Sequence, residues 1–298
     1  MKVRRLLFLA ACLGIALPAA ARAGMKVYVS VDMEGIAGVV TGDQLNPSGF
    51  EYERFRGFMT NEALAAIEGA RAAGATEFVV SDSHGNGESL LIERFPADVT
   101  IVRSWPRPLA MMQGLDETFA AAIFVGYHAG TTNARGVRAH TMSSATFADV
   151  RLNGVSMPEA GVNAALAGRF GVPVAMISGD DAIVQEATAL LPGIETATVK
   201  WAYGFHSART LTPEAACGLI RETARKAIGR VKELRPYRVP EPVVLDLRFK
   251  NYRPAELLSY LPGIERTDAH AIRFRGRDIL EVSRFLEFVT NYEPGLSP

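Results

Sequence analysis

Short apolar, β-prone runs alternate with amphipathic stretches along this chain, and several runs end in residues of the kind that bind metals. Met25 to Asp32 (MKVYVSVD), Glu77 to Ser81 and Ala121 to Tyr127 (AAIFVGY) read as strands. The last is a continuous apolar run, as expected of a strand covered on both faces. Tyr52 to Ala73 intervenes as a helix, with Phe55, Phe58, Met59, Ala63, Ala66, Ile67 and Ala70 near helical spacing and Gly74 as its stop. Strands separated by helices in this way form βαβ units. The expected class is therefore α/β, a mainly parallel sheet flanked by helices.

Further along, Val99 to Arg103 reads as a short strand, and Asn153-Gly154 within VRLNGVSM is a preferred two-residue hairpin turn. A helix over Glu159 to Phe170 has Pro158 well placed at its first turn. Val172 to Ser178 and Glu195 to Lys200 read as strands, with a helix from Asp180 to Leu190 between them. After Thr212 the texture shifts to a long amphipathic helix, Pro213 to Leu234, a Pro-rich stretch to Pro242, and a β–α–β–α unit ending near Thr290. The expected division is a cleaved segment over 1–23, a metal-binding catalytic α/β domain over 24–210, and a smaller C-terminal α/β domain over 211–298.

The cleaved segment is an export signal. Lys2, Arg4 and Arg5 precede an apolar stretch from Leu6 to Leu17 that is short for a membrane span, and Ala21-Arg22-Ala23 is a small-x-small cleavage site. Leu9-Ala10-Ala11-Cys12 also has the look of a lipoprotein box, but the apolar stretch runs on past Cys12, so the expected location is periplasmic or secreted. The signal carries four of the 32 basic residues and none of the 32 acidic ones, leaving a mildly acidic mature chain with no electrostatic reason to bind nucleic acid. With Cys12 removed, Cys217 stands alone, and stability has to come from burial rather than from an intrachain disulfide.

The chemistry concentrates at the strand ends. SVDMEG puts Asp32 and Glu34 at the close of the first run, VVSDSH puts His84 after the second, and IFVGYH puts His128 after the apolar third. In an open α/β sheet, ligands bind at the carboxyl ends of the strands. Taken singly, each residue has an ordinary role: Asp32 capping a turn, each histidine satisfied in a loop, Glu159 favoured by the dipole of the helix it starts. Together, Asp32, Glu34, His84, His128 and Glu159 form a mixed imidazole and carboxylate set suited to zinc or a similar divalent ion. Five ligands exceed what one tetrahedral ion takes, and three carboxylates offset most of the charge of a metal pair. His140, in GVRAHTM beyond a Gly-rich loop, is the candidate general base or nucleophile. Asp180 and Asp181 read better as a helix cap and first-turn acid, and His206 and His270 as structural.

In this order, SVDMEGIAG, SDSHG, MMQGLDETFAAAIFVGYHA, GVRAHTM, LNGVSMPEAGVNA and VPVAMISGDD resemble the DppA-type D-aminopeptidases, the M55 family of zinc metallopeptidases. The likeness runs from Met25 to about Leu286. It implies two zinc ions per subunit, a ring-shaped homodecamer, and release of N-terminal D-amino acids from short peptides such as D-Ala-D-Ala. Carried over, Asp32 bridges the metals, Glu34 and His128 complete one site, His84 and Glu159 the other, and His140 is the catalytic histidine. Two departures stand out: the export signal, and Arg138 adding a positive charge near His140. Two rival readings remain open, a binuclear hydrolase of another amide or phosphoester class and a periplasmic peptide-binding protein without turnover.

Overall fold

A computed structural model describes residues 24–292. The expected export signal lies outside the described residues. In chain order the strands are β1 (Met25–Val31), β2 (Ala75–Asp82), β3 (Val99–Val102), β4 (Ala121–Tyr127), β5 (Phe147–Leu152), β6 (Val155–Ser156), β7 (Val174–Asp180), β8 (Glu195–Gly204), β9 (Ser207–Thr210), β10 (Val243–Phe249), β11 (Ile264–Asp268) and β12 (Ala271–Gly276). The α-helices are α1 (Gly42–Leu45), α2 (Tyr52–Ala72), α3 (Glu159–Arg169), α4 (Asp181–Leu190), α5 (Pro213–Gly229), α6 (Tyr252–Leu258) and α7 (Ile279–Asn291).

Seven strands form the main sheet in the order β3-β2-β1-β4-β7-β8-β9. All neighbours are parallel except β8 and β9. The chain leaves β1 in one direction to build β2 and β3, then returns to the other side of β1 as β4. That reversal opens a crevice at the carboxyl ends of β1 and β4, where α/β sheets hold their ligands. Every residue of β4 is buried, as its unbroken apolar run requires.

Strand β1 divides its side chains between two cores. Val27, Val29 and Val31 pack beneath α2 and α5, while Tyr28 turns to the opposite face with Phe124, Tyr127 and α3. Helices α2 and α5 cross closely at Gly69, where a Cβ would strike the carbonyl of Arg221.

A second sheet, β11-β12-β10-β5-β6, is antiparallel throughout. The β5–β6 turn is the expected Asn153-Gly154 pair, with φ of 48° and 82°. The sheets do not part at residue 210. Strand β5 comes from the first half of the chain yet pairs with β10, aligning Leu152 with Leu245 and Val150 with Leu247. Helix α5, from the C-terminal stretch, packs instead on α2. In both cases an apolar face finds its partner across the expected boundary.

The long helix expected to Leu234 stops at Gly229 and is followed by a 3-10 turn over Val231–Glu233. Strands β9 and β11 carry mostly exposed, polar residues and so leave no apolar signature. Among the described residues, no helix is long and apolar enough to cross a membrane.

Candidate metal centre

Sheet order explains how residues far apart in sequence meet. β2, β1 and β4 are adjacent, so the segments leaving their carboxyl ends deliver His84, Asp32 and His128 side by side. Strand β1 ends at Val31, and Glu34 reaches the site from the following turn rather than from extended backbone. That turn is fastened to β4 by Asp32 N–H donating to the Val125 carbonyl at 2.8 Å and Gly35 N–H to the Gly126 carbonyl at 2.7 Å. Glu159 arrives as the first residue of α3, with Pro158 as its N-cap. All five candidate ligands are buried, and His140 is half-buried.

His84 Nδ1 lies 2.8 Å from Glu34 Oε2 and 3.4 Å from Asp32 Oδ1. On the other side of Asp32, His128 Nε2 lies 3.3 Å from Asp32 Oδ2 and 3.4 Å from Glu159 Oε2. The two oxygens of Asp32 therefore face opposite ways, one toward the His84–Glu34 pair and one toward the His128–Glu159 pair. The division that the resemblance implies puts Glu34 with His128, and ligand atoms of Asp32, Glu34 and His128 lie within 4.8 Å of one another, close enough to share one ion. His84 and Glu34 follow neighbouring strands on one side of Asp32, whereas β4 and α3 flank its other side.

Each imidazole is oriented by a backbone carbonyl. His84 Nε2 donates to Leu45 O at 2.9 Å, His128 Nδ1 to Ala129 O at 3.0 Å and His140 Nδ1 to Arg138 O at 2.8 Å. A carbonyl only accepts, so these bonds fix which nitrogen keeps its proton and turn the other one inward. Metal-binding histidines are held this way. Asp32 Oδ2 and His128 Nε2 are buried with no hydrogen-bond partner. A carboxylate oxygen and an imidazole nitrogen left facing each other without a donor between them fit a shared cation better than a hydrogen-bonded network.

The electrostatics agree. Burial, and then the neighbouring Glu34, push the Asp32 carboxyl above its usual range. Burial works against charge on His84 and His128 as well, yet Glu34 and Asp32 around the first, and Glu159 and Asp32 around the second, hold both imidazoles well above the ordinary histidine value. Three buried carboxylates thus demand positive charge at their centre, and the same field draws a divalent ion.

His140 stacks on His128, with ring centroids 4.1 Å apart and planes 11° from parallel. Its Nε2 lies 3.7 Å from Glu159 Oε1, and its ring lines a cavity of about 390 Å³ together with Asp32, Glu34, His84 and Glu159. Asp180 caps α4, accepting from Ile183 N–H at 2.8 Å, and it also accepts from Val137 N–H at 2.7 Å, which ties down the segment leading to His140.

Two supporting residues escape a reading by motif. Lys200, fully buried in β8, donates to the carbonyls of Glu34, Ile36 and Val39, the last at 2.7 Å. Glu62 on α2 accepts from Ala37 N–H at 2.9 Å. Both fasten the loop that carries Glu34. The available signal for Lys200 was a lone cation inside the β-prone run TATVKWA, and for Glu62 an acid on the apolar side of an amphipathic helix.

The D-aminopeptidase (peptidase M55) family model matches residues 25–288. A D-aminopeptidase of Bacillus subtilis (strain 168) is 35% identical over 267 residues, covering 89% of this chain and 97% of that protein. Among solved structures, the Zn-dependent D-aminopeptidase DppA from Bacillus subtilis, described as a self-compartmentalizing protease, superposes with a TM-score of 0.86 at 34% identity. It too covers 89% of this chain and 97% of its own. With a match across nearly the whole described region and a buried carboxylate–imidazole cluster at the switch point of the sheet, this chain belongs to the D-aminopeptidase family of peptidases.

Proposed function

We propose that this chain is a zinc-dependent aminopeptidase that releases a D-configured residue from the amino end of short peptides, and that Asp32 would be a ligand shared by two zinc ions. The observation that carries the reading is the arrangement around that carboxylate. Its two oxygens point to separate imidazole–carboxylate pairs, and the oxygen and nitrogen on the His128 side lack any partner. Asp32, Glu34, His84, His128 and Glu159 would hold the two ions, Asp32 standing between the two imidazole–carboxylate pairs. Zinc in such a pair supplies Lewis acidity toward a peptide carbonyl and ionises water near neutral pH.

The chain's own residues do the rest. The cavity takes a short peptide with its amino end toward the carboxylates. His140 carries its proton on Nδ1, bonded to Arg138 O, so Nε2 is the atom free to attack or to move a proton at the scissile bond. The stack on His128 keeps that ring in place. The self-compartmentalizing relative supports an oligomer that encloses its sites, and the resemblance implies a ring-shaped homodecamer. The signal expected over residues 1–23 puts the activity in the periplasm or outside the cell.

Purified protein assayed against D-Ala-D-Ala, L-Ala-L-Ala and a generic phosphoester, with zinc counted by elemental analysis, tests this directly. About two zinc ions per chain and release of D-alanine alone are expected. H140A should keep its zinc and lose at least ~100-fold in rate. Phosphoester turnover in place of peptide cleavage, or tight peptide binding without any product, refutes it.

A further inference from the structure

The cavity carries one fixed cation that the metal site does not use. Arg138 lines it alongside His140, and among the described residues no other arginine or lysine does, whereas Asp32, Glu34, Glu159 and Glu287 all contribute carboxylates. Most arginines near a site are neutralised. Arg107, close by, is spent on Ser81 Oγ at 2.8 Å and on the Asp82 carbonyl at 2.7 Å. Arg138 has no such partner: among the described residues its side chain makes no hydrogen bond or ion pair, and its Nε is buried and unsatisfied.

The side chain is nevertheless held. Its guanidinium lies over the ring of Phe205, 5.0 Å from the centroid. Stacking occupies the flat face of a guanidinium and leaves its N–H edge free, the edge that grips a carboxylate through two parallel bonds. The backbone is fixed on both sides, with Arg138 N–H donating to Phe205 O at 3.0 Å and Arg138 O accepting from His140 Nδ1 at 2.8 Å. Its φ of 55° is unfavourable for a side chain of this kind. Such strain persists where the surroundings over-determine a conformation, and it concentrates at functional sites.

We propose that Arg138 is a specificity-determining residue that binds the C-terminal carboxylate of the substrate, so that the preferred substrates are free dipeptides. The proposal rests on the aminopeptidase reading above and adds to it which peptides are chosen. In a dipeptide the free carboxylate follows the scissile carbonyl by one residue, ~3.5 Å of extended chain. Arg138 stands two positions before His140, and both line the same cavity, so a carboxylate one residue past the scissile bond is within the span of its side chain. Each further residue carries the carboxylate ~3.5 Å beyond this grip.

The test compares D-Ala-D-Ala with its C-terminal amide, which differs by that single charge, in the zinc-loaded wild type, R138Q and R138K. Wild type should favour the free acid in kcat/KM by ~10–100-fold, the range of a charge-assisted pair, mainly through KM. R138Q should remove most of that preference, and R138K should keep part of it because it retains the charge without the fork. Zinc content equal to wild type shows that the centre is intact, and if R138Q does not fold, R138K decides. An acid-to-amide ratio unchanged in both variants, or a wild type indifferent to the amide, overturns the role of Arg138 and leaves the aminopeptidase standing. A wild type that cleaves neither compound removes both.

Discussion

Glu62 offers a quantitative check on how the Glu34 loop is held. Its carboxyl is fully buried. One oxygen accepts from Ala37 N–H, and the other has no partner. Burial pushes this group from 4.5 up to about 7, even though Ala37 N–H and the Lys200 charge both favour its ionised form. Because the folded value exceeds the unfolded one, the folded chain binds more protons between them. Stability is therefore fully present below about pH 4.5 and lost as the pH rises through about 7. At 1.36 kcal/mol per unit the loss is about 3 kcal/mol at pH 8 and under about 1 kcal/mol at pH 5. The attraction of Lys200 is already contained in that figure. E62Q mimics the protonated carboxyl: an amide oxygen keeps the Ala37 bond and no charge is buried. Urea denaturation at the two pH values should find E62Q more stable by about 3 kcal/mol at pH 8, with less than half that gain at pH 5. An equal gain at both, or a variant weaker than wild type at pH 8, would refute the idea that a buried charge is what Glu62 costs the fold.

Three further outcomes follow from the geometry. D32N should at least halve the zinc content of the wild type by elemental analysis, because an amide leaves one oxygen in place of a charged carboxylate; full retention would rule out the proposed bridging role. K200M leaves the carbonyls of Glu34 and Val39 buried without the lysine donor, while the Ile36 carbonyl keeps Val39 N–H, a loss of about 2–5 kcal/mol by urea denaturation. A change within about 1 kcal/mol would show that the ammonium contributes little. G35A places a Cβ against the backbone of Gly126 and Tyr127, so β1 and β4 must separate where the site is built. The variant should lose zinc and more than about 3 kcal/mol of stability, and wild-type melting with full zinc would contradict this close approach.

Much of the fold was legible because burial on both faces writes itself into sequence. β4 coincides with its apolar run, and the Asn153-Gly154 hairpin followed from two residues able to take positive φ. The polar edge strands β9 and β11 were silent, since an exposed strand needs no apolar residues. The candidate ligands were legible one by one, as polar residues ending apolar runs. Lys200 was not, because its role depends on three carbonyls more than 160 positions away.

The sequence by itself determined the class of fold, through the period of its apolar residues, and singled out the candidate metal ligands, through their chemistry. Only the tertiary structure decided which of them stand together. Strand order puts His84 with Glu34 on one side of Asp32 and His128 with Glu159 on the other. It also drew β5 into a sheet with β10, across a boundary that composition had suggested. The physical reason is the same in each case. Periodicity is a local property of the chain, whereas neighbours in a sheet are chosen by long-range burial and hydrogen bonding, which no stretch of residues records alone.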